Sequence, residues 1–517
     1  MKKMIVGAAA AALLATAGTI LFAQDAAPAS KGKYSAVQAK ELVWQTPAGV
    51  DPSYAAIDAK QLHEFVEQES AIGVKYRDQG HQWWGRLAGF SSGEEEQRWV
   101  EQKFKEFNVP SETHEIQMGS QDWPDSWSVT VTANGQTLNL ESAYPIIDFT
   151  DHTPTPEGDL NLDTVWVGLG QESDLIGRDL RGKAVFIYSI ATPSSLIQSA
   201  EWMESVARAQ KAGAAAVFFD LAIPGNMKYV SHMETARRDI KTPIMSIGDQ
   251  DGAAVQKLYA DSNGQGVKTH VVWKDQHYSD MKETIVVGKL EGMTDEAIIM
   301  LAHTDGFFYG GMDDAAGTAA LIGTAEYFAK LPKSQRRRTM YFIATPDHHG
   351  GDHGGRWILN NFQDIFPKTA VIVNSEHVAG TDPVWDRKWG FRGEPSLFPT
   401  NEKFPSWWAV YGSDKLATIV RDDYALFGVP TQLHEGGSPG ELGRVQFKAP
   451  SFTLHNKDVF YHADGDTPDV VPVEGLKNVV QAFCKIFNDV NQVDLNDLQA
   501  PPDRQPPAGN ASGPEQQ

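Results

Sequence analysis

Along the second half of the chain, short apolar runs recur with helical patterns between them. AIIMLA (297–302), RTMYFIA (338–344) and TAVIVNSE (369–376) are almost continuously hydrophobic, as strands covered on both faces are. Between the first two, residues 314–331 put Leu321, Ala325 and Phe328 on one helical face. Strands alternating with helices predict an α/β fold with a mixed, largely parallel central sheet flanked by helices. Upstream, helical spacing sets in around 55–69. SSGEEEQRWVEQKFKEF, from Ser91, predicts an amphipathic helix with a Ser92 to Glu95 capping box and a buried stripe of Trp99, Phe104 and Phe107. Residues 151–283 change texture: DTVWVGLG, GKAVFIYS, SAEWMESVARAQKAG, AAAVFFDL, TPIMSIG and DGAAVQKLY alternate short strands and helices, the pattern of an inserted α/β domain.

The two ends read differently. Lys2 and Lys3 precede an uncharged run ending at Ala23, the layout of an export signal over 1–23. The run approaches the ~20 residues that span a bilayer, but Ala and Gly dominate it, so cleavage is expected rather than anchoring. The mature chain is then periplasmic or secreted, with no stable membrane association. Residues 24–54 form a polar, Ala/Pro/Lys-rich lead-in, and 491–517, Pro-rich and polar toward the end, are expected to be disordered.

Composition narrows the partners. The 517 residues, 41% hydrophobic, suffice for two to four domains of ~150 residues. Asp and Glu number 67 against 45 Lys and Arg, and the formal charge of -22 would repel nucleic acid and anionic lipid. Cys484 is the single cysteine, so no intrachain disulfide forms and no thiol near the signal can be acylated.

Candidate chemistry gathers where the strands end, the place where ligands bind in open α/β sheets. The first strand ends in His303-Thr304-Asp305, whose period-2 geometry points His303 and Asp305 to one side. Asp313 follows in GGMDDAAG, with Asp314 read as the N-cap of the next helix. The second strand leads into PDHHGGDH, the third ends at Glu376 and His377, and FYHADGDTPDVV brings His462. Histidine and carboxylate without cysteine suit a divalent metal such as zinc.

HTDGFFYGGMDDAAG, the strand-terminal Glu376 and YHADGDTPDVV together resemble the co-catalytic zinc exopeptidases, the superfamily of secreted aminopeptidases, glutamate carboxypeptidase II and the transferrin receptor. GKAVFIYS and AQKAGAAAVFFD look like that group's protease-associated domain. The resemblance implies a zinc exopeptidase fold over 55–150 and 284–490, with a protease-associated domain at 151–283. It implies two zinc ions per chain and hydrolysis of peptide or small amide substrates, aminopeptidase-like, by a metal-bound hydroxide. By position, His303 and Glu376 would hold one ion, Asp313 would bridge both, His462 would end the second site, and Asp305 would orient His303.

The chain departs from the family at 348 and 349, where the group normally has two consecutive glutamates, a general base and a ligand. Here they are His348 and His349. His349 can ligate as neutral imidazole, leaving the centre more electropositive. His348, with an ordinary pKa of ~6.5, can serve as the base, and Asp347 and Asp352 are rivals in the same loop. His353, His377 and His455 are read as loop or supporting residues. The superfamily also contains inactive receptors and single-zinc glutaminyl cyclases, so a non-catalytic binding protein and a one-metal cyclase stay as alternatives. Arg387, Lys388 and Arg392 could hold a substrate carboxylate but read as a solvated run. Phe307, Phe308 and Tyr309, with Trp385, Trp389, Trp407 and Trp408, could line an apolar side-chain pocket or pack in the core.

Overall fold

The apolar runs become adjacent strands of one sheet in the computed structural model, which describes residues 42–147, 158–189, 202–230, 240–387, 395–433, 440–456 and 459–504. The expected export signal, 1–23, and most of the expected lead-in lie outside the described residues. Twelve strands carry the description: β1 (Ser111–Ala133), β2 (Leu160–Trp166), β3 (Ala184–Ser189), β4 (Ala216–Leu221), β5 (Ile244–Gly248), β6 (Lys268–Leu290), β7 (Ala297–His303), β8 (Thr339–Thr345), β9 (Thr369–Glu376), β10 (Ser406–Tyr411), β11 (Thr431–Leu433) and β12 (Ser451–His455). They lie in the order β11-β10-β12-β9-β7-β8-β6-β2-β3-β4-β5, and β1 pairs with β6. The centre, β12-β9-β7-β8, is parallel throughout, with Ala297 opposite Thr339 and His303 opposite Thr345. β6 is antiparallel to β8, and β2 to β5 form a second parallel run.

Every residue of β7 and β9 is buried. Alternation divides them between two cores. Ile298, Met300, Ala302, Val371 and Val373 join Leu321, Ala325 and Phe328 of the following helix, whereas Ile299, Leu301 and Ile372 pack with Ile358 and Phe362. With helices on both faces, all three strands end at one edge, so the residues just past 303, 345 and 376 are neighbours.

Several local expectations shift. The early helix runs Ala59–Asp78, capped by Asp58. The capping box does not form: the helix Ser91–Glu106 starts after Phe90 with no side-chain cap. Ser92 instead accepts the Leu87 amide, and Glu95 reaches Lys75 at 2.6 Å. Phe104 is fully buried while Trp99 and Phe107 are partly so. The α-helix after Asp313 is Gly317–Ala329, preceded by a π-type turn Gly311–Ala316 in which Asp313 and Asp314 are non-helical. Asp314 still accepts the Gly317 amide, at 3.2 Å, near its expected capping place. The tail does not come loose at 491: a short helix Leu495–Leu498 buries Leu498, and Arg337 pairs with Asp494 at 2.9 Å. The aliphatic residues Val493, Leu495 and Leu498 supply the apolar anchor absent further on. Residues 505–517 lie outside the described residues.

Within 151–283, β2 to β5 surround a separate apolar cluster that includes Val185, Val217, Phe219 and Ile244. The expected boundary at 283/284 falls inside the continuous strand β6, which carries both halves of the sheet.

Asp220, near the end of β4, is buried, and its Oδ1 has no hydrogen-bond partner among the described residues. Burial, then Asp249 and Asp251, push its carboxyl from 3.8 up to about 8. A raised folded pKa favours the protonated form, so this group's contribution is complete below the unfolded value and is lost as pH climbs toward about 8. Asp220→Asn should therefore be more stable than the wild type at pH ~8, by on the order of a few kcal/mol and with a higher melting temperature, the gain vanishing near pH ~4. Thermal melts at the two pH values check this.

Candidate metal centre

Asp313 is the hub. Its carboxylate is buried, and its main-chain amide donates to Asp466 Oδ2 at 3.0 Å while Met312 donates to Oδ1 at 2.8 Å, fixing the turn before the helix. Four imidazoles reach it. His377 Nε2 lies 2.8 Å and His303 Nε2 3.4 Å from Oδ1; His462 Nε2 lies 3.3 Å and His349 Nε2 3.5 Å from Oδ2.

The second nitrogen of three of these rings is already spent. His303 Nδ1 lies 2.9 Å from the Asp305 carbonyl, His462 Nδ1 3.1 Å from the Val230 carbonyl, and His349 Nδ1 2.9 Å from Asp305 Oδ2. Carbonyls and carboxylates only accept, so each Nδ1 carries the hydrogen and a neutral ring presents a bare Nε2. His349 Nε2 and His462 Nε2 then face each other at 3.1 Å. Two lone pairs this close repel unless a proton or a metal cation lies between them. His303 Nε2 and Asp313 Oδ2 are also buried, with no partner of hydrogen-bond geometry among the described residues. Nitrogen and carboxylate donors converging in this way fit a divalent transition metal, zinc above all.

The donors fall into groups compact enough to hold an ion: Asp313 with His349 and His462; His303 with Asp313 and His377; His303 with His348 and Glu376; and Glu376 with His377 and His455. The five ligands expected from sequence, His303, Asp313, His349, Glu376 and His462, thus share one cluster. Glu376 sits at its edge, accepting from Asn374 at 2.5 Å, with Oε1 3.3 Å from His455 and 4.0 Å from His377. His377, expected to play a supporting part, is closer to Asp313 than any other imidazole. Its left-handed φ of 53° turns the chain sharply after β9.

Asp305 works differently from expectation. Its carbonyl, rather than its carboxylate, orients His303, because Oδ1 and Oδ2 accept the amides of His348 and His349, each at 3.0 Å. The side chain thereby shapes the histidine loop. Arg86, fully buried, clamps the preceding segment by donating to the carbonyls of Thr304, Tyr309 and Gly310. Beside it, burial and the proximity of Glu96 hold the Glu69 carboxyl well above its usual range.

Electrostatics make the cluster a cation trap. Burial alone would raise Asp305 and Asp313, yet the surrounding imidazoles, His349 and His303 for the first and His377 and His349 for the second, hold both well below the usual range. Burial lowers His349, but Asp313 and Asp305 outweigh it and lift the ring to about 9. Without an ion, protons take a cation's place.

Of the candidate bases, Asp347 accepts from His353, and Asp352 caps the helix His353–Asn361 and takes Arg444 Nε at 2.6 Å. His348 stacks on His303, with centroids 4.3 Å apart, and its Nδ1 meets Glu441 Oε1 at 2.9 Å. Glu441, Asp466 and Val230 were not singled out from the sequence. Each lies far from its partner along the chain; Asp466 stands inside the YHADGDTPDVV motif, but nothing local marks its partners. Phe307 packs against His349 and His462, while Phe308 and Trp408 are core residues. The side chains of Trp385, Trp389, Trp407, Arg387, Lys388 and Arg392 lie outside the description.

Residues 285–486 match the model of Peptidase family M28, which bears out the resemblance to co-catalytic zinc exopeptidases. No curated protein matches the chain. Among solved structures, a zinc aminopeptidase from Bacillus subtilis aligns at 16% identity and TM-score 0.58, covering 86% of this chain and 98% of its own. An M28 peptidase precursor from Shewanella amazonensis aligns at 16% identity and TM-score 0.64, covering 87% and 98%. An aminopeptidase from Aneurinibacillus sp. strain AM-1 aligns at 19% identity and TM-score 0.51, covering 84% and 94%. The shared property at these identities is the fold, a mixed α/β sheet flanked by helices.

With His349 raised to about 9, the ion-free ring is protonated at neutral pH and must lose that proton to ligate. Zinc binding should therefore release a proton, and apparent affinity should climb about tenfold per pH unit up to about pH 9 and level off above it. Calorimetry in buffers of different ionisation enthalpy measures the released proton directly.

Proposed function

We propose, from an M28 peptidase match over the segment that carries this cluster, that the protein is a zinc-dependent exopeptidase of aminopeptidase type acting on peptides or small amides. The observation that carries the reading is the 3.1 Å approach of His349 Nε2 and His462 Nε2, two rings whose Nδ1 atoms are already committed to oxygen acceptors, beside the Asp313 carboxylate. Two ions fit the donor set. Asp313 Oδ2, His349 and His462 would hold one; Asp313 Oδ1 and His303 would hold the other, with Glu376 and His377 both within reach of its third position. Bound there, divalent ions polarise the scissile carbonyl and acidify water.

The chain's own residues do the rest. Asp313 spaces the two halves of the centre, and Asp305 holds His303 and His349 through separate oxygens. Burial lowers the His348 ring, but Glu441, Glu376 and Asp305 outweigh it and hold the ion-free ring well above its usual range. With that negative charge offset by cations in the centre, His348 Nε2 would take the proton of the attacking water and pass it to the departing amine, while Asp347 and Asp352 are engaged by His353 and Arg444. Phe307 keeps one wall of the centre apolar, which strengthens every charge interaction inside it. We read residues 151–283 as a protease-associated domain. This is supported by its own apolar cluster and by Val230, whose carbonyl fixes His462. Export through the segment 1–23, to the periplasm or beyond, completes the reading. No described helix is long and apolar enough to cross a membrane.

Purified protein should contain zinc and cleave aminoacyl substrates, lose activity to a chelator, and regain it on zinc addition. Absence of stoichiometric metal together with no hydrolysis across a broad aminoacyl and peptide panel would falsify the proposal. Asp313→Ala should bring bound zinc below one ion per chain and abolish turnover. His348→Ala should keep the metal and lower kcat by about 10²- to 10⁴-fold, as loss of a general base does.

A further inference from the structure

The short helix Leu442–Val445 buries Leu442 and Val445 completely, which pins the residues just before it against the metal centre. Gly440 has φ +69°, and a Cβ there would lie 2.0 Å from Glu376 Oε2, so only glycine lets the chain pass this close. Glu441 comes next and is fully buried, with Oε1 2.9 Å from His348 Nδ1. Arg444 then donates to Asp352 at 2.6 Å. Residues 440–444 therefore touch the end of β9, the histidine loop and the helix after it.

The Glu441–His348 contact has a direction. The backbone amide of His348 is taken by Asp305, and its ring lies flat on His303. Glu441 Oε2 has no partner among the described residues, so the imidazole is the one hydrogen-bond donor to this carboxylate there. A carboxylate accepts and does not donate, which places the ring hydrogen on Nδ1.

We propose that Glu441 is a positioning residue for His348, holding it as the Nδ1–H tautomer so that a bare Nε2 faces the His303 and Glu376 side of the centre. The carboxylate missing at position 348 is restored through space, from 93 residues downstream. A carboxylate behind an imidazole locks ring orientation and tautomer in the same way at metal ligands and in catalytic triads. The proposal rests on the reading of His348 as the base, and its test separates the two.

Neutron diffraction from zinc-loaded wild-type crystals should show a deuteron on His348 Nδ1 directed at Glu441 and none on Nε2. A deuteron on Nε2 overturns the proposal. Kinetics give the second arm. Glu441→Gln keeps an accepting oxygen and should hold kcat within about tenfold, whereas Glu441→Leu should lower kcat about 100-fold with KM and zinc content unchanged, the scale of a misplaced base. Glu441→Leu with kcat within about threefold of wild type, while His348→Ala loses about 100-fold or more, also overturns it. If Glu441→Leu does not fold, the wild-type deuteron position and the Glu441→Gln rate decide alone. A wild type that holds zinc with the Nδ1 deuteron in place yet hydrolyses nothing sinks the peptidase reading and supports the tautomer assignment.

Discussion

A single buried carboxylate, Asp313, is met by four imidazole nitrogens between 2.8 and 3.5 Å away. Three of those rings have their Nδ1 hydrogens committed elsewhere, so lone pairs and negative charge converge on a small volume with little to balance them. Concentrating unpaired acceptors in a protein interior is costly unless cations or protons fill the space. Much of the surrounding structure holds these groups against their repulsion.

That holding is done mostly by main-chain polar groups. Asp466 grips the amides of Met312 and Asp313, Arg86 grips three carbonyls of the segment leading to them, and Asp305 spreads one side chain and one carbonyl over three histidines. Each clamp is buried, so it competes with little water and its geometry is stiff. Sites held this way keep donors within the few tenths of an ångström that metal coordination demands.

The second parallel run, β2 to β5, is tied to the centre as well as to the sheet. Val230 accepts from His462 Nδ1, and its own amide donates to the His462 carbonyl at 2.9 Å. A change in the packing of this segment therefore reaches one of the donors without passing through the central sheet. Position 348 shows the complementary case. The loop lacks an acid there, and a distant segment brings one to the ring instead.

Local sequence determined a good deal. Near-continuous apolar runs at 297–302, 338–344 and 369–376, short and alternating with helical patterns, read as buried strands, and burial on both faces calls for helices on both sides, which aligns the strand ends. Ligand-type residues at those ends, His303, His349 and Glu376, were legible for that reason, and the spacing to Asp313 marked the turn that follows. Register and turn chemistry act over a few residues, so a linear reading can reach them. Tertiary structure decided the rest. It turned His377 inward through a left-handed φ, gave Asp305 the histidine-loop amides and His349 to hold besides His303, and brought Asp466, Val230 and Glu441 to their partners. It also decided which nitrogen of each imidazole is bare, because a ring's tautomer is set by whatever acceptor the folded chain lays against its other nitrogen.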